Sequence, residues 1–267
     1  MRISIRGIIA TCSFELARSF TAQRIGVIGV LALFPAAMLT LITWVPKVQG
    51  GHVNIPFMEA LIIMLVGLVM LLSLLLWAST NVYTELEGKS WVFIACRPSG
   101  RVSMVLGKYL AAFVLSFSIC WIAITLSTFV AQTTGSLEDP FRFWLAMSET
   151  LAVACAVYAA VFTLIGVLFF RRAMVFCAAY MLLIEILIAF FPVLIAKATV
   201  RFHLQELLFT WYGWIRLPSI DEDSYRLLYG EFPLWLSLVT LFAIVLICLS
   251  GSCFVIVNRE YLTADET

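Results

Sequence analysis

The sequence is poor in charge and in the residues that many enzymes use for catalysis. Only 12% of its residues are charged, and it has two histidines. It contains no G-x-S-x-G or H-E-x-x-H motif, and neither histidine falls in a long apolar segment. Gly88-Lys89-Ser90 resembles the end of a phosphate-binding loop, but Tyr83 stands where the first glycine is required. These absences argue against an enzyme and against ATP binding by this chain.

The cysteines lack the spacing of metal sites and of disulfide frameworks. None of the seven falls in a segment that we predict to lie outside the membrane, and there is no C-x-x-C pair. We therefore expect no disulfide, no metal site and no cofactor in this chain. The net charge of +1 gives no indication of a nucleic-acid partner.

Long apolar segments are what the sequence has in excess. Hydrophobic residues make up 63% of the chain and the mean hydropathy is +1.05, more than a soluble core of this length needs. A membrane-spanning helix needs about 20 mostly apolar residues. Six segments meet this requirement: 26–46, 57–80, 109–132, 143–170, 173–195 and 233–257. The sequence predicts an all-α integral membrane protein with six transmembrane helices in one domain, residues 1–267.

Basic residues are distributed unevenly between the two predicted sides. If the N-terminus is inside, about eleven Lys and Arg fall in cytoplasmic segments and six in outer segments. Short loops rich in these residues stay cytoplasmic. Arg171-Arg172 alone joins the fourth and fifth segments and marks a tight inner turn. We therefore predict a multi-pass protein of the cell's inner (plasma) membrane with both termini in the cytoplasm.

Two further stretches have helical apolar patterns but are too polar to span a bilayer. In residues 1–24 the pattern predicts an amphipathic helix in the inner interface, or else a cytoplasmic extension of the first span. The apolar positions there are Ile5, Ile8, Ile9, Cys12, Leu16 and Phe20. In the outer segment 196–232, the residues Val200, Leu204, Leu207, Leu208, Trp211 and Ile215 share one helical face. Trp211 and the aromatic residues that follow it suit the headgroup layer of a membrane.

Glu149 and Glu185 are acidic residues inside predicted spans. An ionisable group at such depth is costly, so each is expected to face the bundle or a wet cavity and to have a partner. Each acid is either a polar contact on a substrate path or subunit seam, or a group that holds helices together. The hydroxyls of the third span either bond to their own backbone or to a neighbouring helix, or they line a polar path.

One polar segment, Asn81–Lys108, interrupts the apolar ones. Within it Gly88 and Pro98 are helix breakers, and a short apolar patch, Trp91–Cys96, lies between them. This patch allows less than two helical turns, because Pro98 disfavours helix in the residue before it. We expect a short helix across the mouth of the bundle, kept at the water side by charged neighbours. The alternative is an ordinary charged cytoplasmic loop.

This segment resembles the first cytoplasmic loop of ABC-2 type transporter permeases. The resemblance lies in Glu85-x-Glu87-Gly88, then Arg97-Pro98, Arg101, and Gly107-Lys108 at the head of the next span. In span count and loop lengths it extends over nearly the whole chain. In that family the short helix is a coupling helix that docks into a groove on a separate ATPase subunit. The resemblance assigns to ATPase coupling the residues Glu85, Glu87, Gly88, Trp91, Phe93, Arg97, Pro98, Arg101 and Lys108.

The resemblance also implies an architecture and a function. The N-terminal amphipathic helix is then an elbow helix, and helices before the sixth span cap the outer exit. The chain is expected to be the permease subunit of an ATP-driven exporter, a homodimer or pseudo-dimer in the lipid bilayer with two ATPase copies that bind ATP and Mg²⁺. Glu85 and Glu87 are expected to pair with basic residues of the ATPase. Two alternatives stay open: a secondary transporter or channel that uses Glu149 and Glu185, and a non-transporting membrane assembly factor.

Overall fold

A computed structural model describes residues 4–49, 61–62, 64–79, 83, 85, 100–134, 139–183, 199–212 and 234–259. These residues form helices and turns and include no strand, which confirms the all-α prediction for the described part of the chain. The helices are α1 (Ile5–Ser19), α2 (Ala22–Gln49), a π-helical turn (Leu65–Met70) leading into α3 (Leu71–Trp77), α4 (Gly100–Thr134), α5 (Pro140–Leu168), a 3-10 turn (Phe170–Arg172), α6 (Ala173–Tyr180), α7 (Val200–Tyr212) and α8 (Leu234–Asn258).

Four of the described helices are long and apolar enough to cross a membrane. They are α2, α4, α5 and α8, and they match the predicted first, third, fourth and sixth spans. The predicted second and fifth spans are described only in part, by the π-helical turn with α3 and by α6, and their remaining residues lie outside the described ranges. The arrangement is therefore compatible with a multi-pass membrane protein.

Helix α5 is the centre of the bundle. Of its most apolar window, 67% is buried, against 28% for α2 and 22% for α8. Its large side chains Phe143, Tyr158 and Phe162 are among the most completely buried, and they belong to a core that reaches every long helix. Helix α5 also approaches the end of the second segment closely, because a Cβ at Gly166 would lie 2.8 Å from the Ser79 carbonyl oxygen.

The outer surfaces of the long helices are apolar. Side chains such as Val30 and Leu33 on α2, and Phe242, Ile247 and Phe254 on α8, are more than half exposed. A contiguous apolar surface of this kind on a protein in water is a liability. It suits a bilayer, where lipid tails are as apolar as leucine.

The N-terminal stretch forms a helix separate from α2. Ser4 caps α1, its hydroxyl accepting a hydrogen bond of 3.2 Å from the Gly7 amide. The helix ends at Ser19, and Phe20 and Thr21 lie outside both helices. The residues before the first span are thus a short independent helix and not a continuous extension of that span.

Helix α7 packs into the bundle against α5 and α8. The predicted apolar face of this stretch is buried in the protein, and Phe202, His203 and Glu206, which lie outside that face, are buried as well. The described members of the face, Val200, Leu204, Leu207 and Leu208, are each 3% exposed or less. At the same end of the bundle, Arg142 of α5 donates a hydrogen bond of 3.5 Å to the carbonyl of Trp211 in α7.

Candidate functional site: the charged end of the bundle

Lys108 forms ion pairs with two carboxylates from distant parts of the chain. Its Nζ lies 2.6 Å from Oε1 of Glu85 and 3.1 Å from Oε1 of Glu15. The lysine side chain is 3% exposed, Glu85 9% and Glu15 18%. Oppositely charged groups at these distances form close ion pairs, and burial makes the loss of one member of a pair costly. We call Lys108, Glu85 and Glu15 the charge triad.

Small residues bring α1 close enough to α4 for the triad to form. A Cβ at Gly107 of α4 would lie 2.6 Å from the Thr11 Cβ and 2.9 Å from the Ile8 carbonyl oxygen of α1. One turn earlier, a Cβ at Gly7 would lie 3.0 Å from the Ser103 Oγ. The two backbones therefore approach as closely as in small-residue membrane helix pairs. Glu15, one turn beyond Thr11, then reaches Lys108.

Several apolar residues of helix α1 are exposed on the side away from the bundle. Ile5 is 71% exposed and Ile9 61%, whereas Thr11 and Glu15 are half-buried towards α4. A soluble amphipathic helix has the opposite arrangement, with its apolar face inward. Cys12 is half-buried, and its burial raises the pKa of the thiol. The exposed stripe matches a helix that meets lipid on one side and the bundle on the other.

Arginines tie the ends of α4, α5 and α8 together at a second point. Arg101 donates a hydrogen bond of 3.1 Å to the carbonyl of Val257. Arg259 donates one of 2.6 Å to the carbonyl of Leu168, and its guanidinium carbon lies 5.6 Å from the centroid of the Phe170 ring. Such cation–π contacts contribute about 0.5–1 kcal/mol at exposed sites. A small apolar cluster of Met104, Val105, Val167 and Ile256 packs beneath these contacts.

The structure brings together two of the nine residues predicted for ATPase coupling. Glu85 and Lys108 meet in the triad, and Arg101 contacts α8 instead. Within this chain the carboxylate of Glu85 is paired with Lys108, and the expected pairing of Glu85 with basic residues of an ATPase stays a prediction. Glu15 was not predicted. The remaining predicted residues lie outside the described ranges: Glu87, Gly88, Trp91, Phe93, Arg97 and Pro98.

Of the two acids predicted to lie in the membrane, the structure describes one. Glu149 is exposed on the surface of α5 in this single chain, and its expected contact with a wet cavity or a partner stays a prediction. Glu185 lies outside the described residues. In the third span, Ser118, Thr125 and Thr128 donate to the carbonyls four residues earlier, at 2.7–2.8 Å. Those three hydroxyls bond to their own helix, as one of the two interpretations predicted.

A buried polar pair at the opposite end of the bundle was also missed. Nδ1 of His203 lies 3.3 Å from Oγ of Ser237, joining α7 to α8, and both residues are buried. The sequence suggested only a histidine without a ligand partner. No local pattern signals this contact, because the two residues belong to helices whose packing decides the pairing.

No known protein-family model matches this sequence, and no curated protein matches it either.

Proposed function

We propose that this chain is the membrane-spanning subunit of an ATP-driven exporter of the ABC-2 type, acting with a separate ATPase. The charge triad is the observation that carries this proposal. It joins a short N-terminal helix, the beginning of the polar segment and the head of a long helix at one end of the bundle. A partner that pushes on the polar segment needs such a rigid connection to move the helices.

The Glu85–Lys108 pair clamps the two ends of the polar segment. Glu85 stands where the segment begins and Lys108 where it leads into α4, and their charged atoms are 2.6 Å apart. In the proposed mechanism, closure of the ATPase pushes the short helix around Trp91–Cys96. Because the segment's ends are fixed to each other, the force passes to α4 and, through Glu15, to α1. The contact between Arg101 and Val257 extends it to α8.

This mechanism assigns different roles to the two neighbouring acids. Glu85 acts inside the chain as a positioning residue, because it is paired with Lys108. Glu87 is the acid left to meet basic residues on the ATPase, and Arg97 fixes the segment against acids or headgroups. ATP and Mg²⁺ bind to the partner, and two copies of each subunit enclose a path between the two permease chains. One bundle of this size has too small an interior to hold that path.

The secondary-transport alternative is less well supported. It needs Glu149 and Glu185 on a route through the protein, and Glu149 is exposed on the outside of this single chain. The assembly-factor alternative predicts a stable partner complex in which the partner's ATP hydrolysis does not depend on this chain. Measurement of that hydrolysis therefore separates the exporter from both alternatives.

The test is co-purification of the tagged chain from its native membranes, followed by ATPase assays of the complex in nanodiscs. We expect a stoichiometric P-loop ATPase whose hydrolysis is stimulated by the chain. Glu87→Arg should abolish that stimulation while the chain still folds. The matched control is Glu222→Arg, the same charge change in the predicted outer segment, which should leave stimulation intact.

Purification without an ATPase, or stimulation that survives Glu87→Arg, would contradict the proposal. Ion flux that needs a gradient and Glu149, but no ATP, would favour the secondary transporter. A stable ATPase complex without stimulation would favour the assembly factor.

A further inference from the structure

An open apolar groove of about 450 Å³ lies where α2, the second apolar segment and α6 meet. Its volume falls in the range of about 300–1,000 Å³ that is typical of small-ligand sites. Among the described residues that line it, Gln23 is the one with a polar side chain. Other residues along it are Gly26, Leu31, Leu72, Leu76 and Met174.

Three arginines lie close in the sequence to residues that line the groove. Arg24 follows Gln23, and its Nη1 donates a hydrogen bond of 3.4 Å to the Arg18 carbonyl. Arg171 and Arg172 form the turn directly before α6, close in the chain to Met174, and both are exposed. Among the described residues, the groove lining contains no acidic side chain. An apolar groove whose lining residues have arginines as near neighbours in the sequence complements a ligand that has a long apolar chain and an anionic head.

We propose that this groove binds an anionic phospholipid, with an acyl chain along α2, α3 and α6 and the phosphate at Arg171 and Arg172. These arginines belong to the end of the bundle that the distribution of basic residues places in the cytoplasm. The cytoplasmic leaflet carries anionic lipid, and each arginine near such a surface favours binding. The binding does not require the proposed ATPase, so it is tested on the purified chain alone.

Two glycines of α2 make a matched test of the acyl-chain site. A Cβ at Gly26 or at Gly29 would meet no heavy atom within 4 Å, so both positions open onto free space where a side chain begins. Only Gly26 lines the groove. Leucine at Gly26 therefore fills the groove, whereas leucine at Gly29 makes the same chemical change outside it.

The experiment is native mass spectrometry of the chain after equilibration with vesicles of phosphatidylglycerol and phosphatidylcholine in equal amounts. We expect wild type and Gly29→Leu to retain phosphatidylglycerol in preference to phosphatidylcholine. Gly26→Leu should lose retention of both lipids several-fold. Arg171→Gln with Arg172→Gln should lower the preference for phosphatidylglycerol by about tenfold while the acyl-chain site remains. Arg216→Gln with Arg226→Gln, which removes the same charge from the predicted outer segment, should keep the preference.

Equal retention by the two leucine variants would overturn the acyl-chain site. Equal retention of the two lipids by wild type, or a preference that survives loss of Arg171 and Arg172, would overturn the headgroup site. If Gly26→Leu changes the ratio of monomer to dimer and leaves lipid retention unchanged, a second copy of the chain covers the groove instead. The arginine variants change exposed side chains, so they test the proposal even if Gly26→Leu does not fold.

Discussion

Glu85 and Glu149 are acids in the same apolar chain, but their surroundings are opposite. Glu85 is 9% exposed and lies 2.6 Å from a buried lysine. Glu149 is exposed on α5, nine residues or about 13 Å of helix beyond Pro140. The first acid is satisfied within the chain and fixes the arrangement of three segments. The second must find water, a headgroup or another chain in the membrane, because an ionised group against lipid tails is costly.

The comparison shows why depth alone does not identify a functional acid. A carboxylate that is paired inside the bundle holds parts of the protomer together, so its removal lowers the free energy of unfolding. A carboxylate on the surface has no such role, so its removal changes only the binding of the molecule that contacts it. The predictions below test this difference, beginning with the largest expected effect.

Lys108→Met should destabilise the chain by about 3–5 kcal/mol, because it leaves the buried carboxylate of Glu85 and the half-buried one of Glu15 without their shared cation. Glu85→Gln should cost less, because Lys108 keeps Glu15 as a partner. Reversible unfolding of the chain in mixed micelles, with increasing denaturing detergent, measures both changes.

The control is the triple variant Lys108→Met, Glu85→Leu and Glu15→Leu. Replacing a whole buried ion cluster with apolar groups is often close to neutral. Wild-type stability in Lys108→Met would show that the triad adds nothing to the fold.

Gly107→Ala should cost about 1–3 kcal/mol, since the added methyl forces α1 away from α4. The new Cβ would lie 2.9 Å from the Ile8 carbonyl oxygen, which belongs to the backbone and has little freedom to move. The same unfolding assay measures the loss. Gly29→Ala is the matched control, because a Cβ there meets nothing within 4 Å. Equal effects of the two changes would argue that α1 does not dock tightly on α4.

Hydrophobicity predicts which segments form the long helices, but it does not predict where each helix begins and ends. The last span was predicted at 233–257 and is observed at Leu234–Asn258, because Pro233 and the polar Asn258 end the apolar run. Helix α4 was predicted to begin at residue 109 and begins at Gly100. In the sequence the apolar run is interrupted at Lys108. In the structure the helix includes Lys108, because carboxylates pair with its charge.

The candidate site was predictable in part, for a related reason. Glu85 and Lys108 stand out as charges at the ends of one polar segment, so the sequence directs attention to both. Glu15 comes from a different helix and reaches Lys108 only because Gly107 allows a close approach. Contacts of this kind depend on packing between distant segments, which no local spacing encodes.

Cys12 reports the docking of α1 through its reactivity. Burial raises the pKa of its thiol, so less of it is the reactive thiolate at any pH below that pKa. In Lys108→Met, α1 loosens, the pKa falls towards its ordinary value, and maleimide labelling at pH 8 should become several-fold faster. The measurement uses variants in which Cys12 is the only cysteine. An exposed cysteine introduced at Ser13 is the control, and its labelling rate should not change. Equal acceleration at both positions would mean that the chain unfolds as a whole.

Glu149→Gln should have the smallest effect on the isolated chain, with the unfolding temperature in micelles within about 2 °C of wild type. The side chain is exposed, so no internal partner loses its charge when the carboxylate becomes an amide. If the proposed exporter is correct, partner-dependent ATP hydrolysis should also be unchanged, because Glu149 lies away from the charge triad on the surface of α5. Loss of that hydrolysis would place Glu149 at a seam between subunits. Loss of gradient-driven ion flux would instead make it an ion site and favour the secondary transporter. Either result would show that Glu149 acts through a contact outside the chain, whereas removal of Glu85 should first lower the stability of the fold.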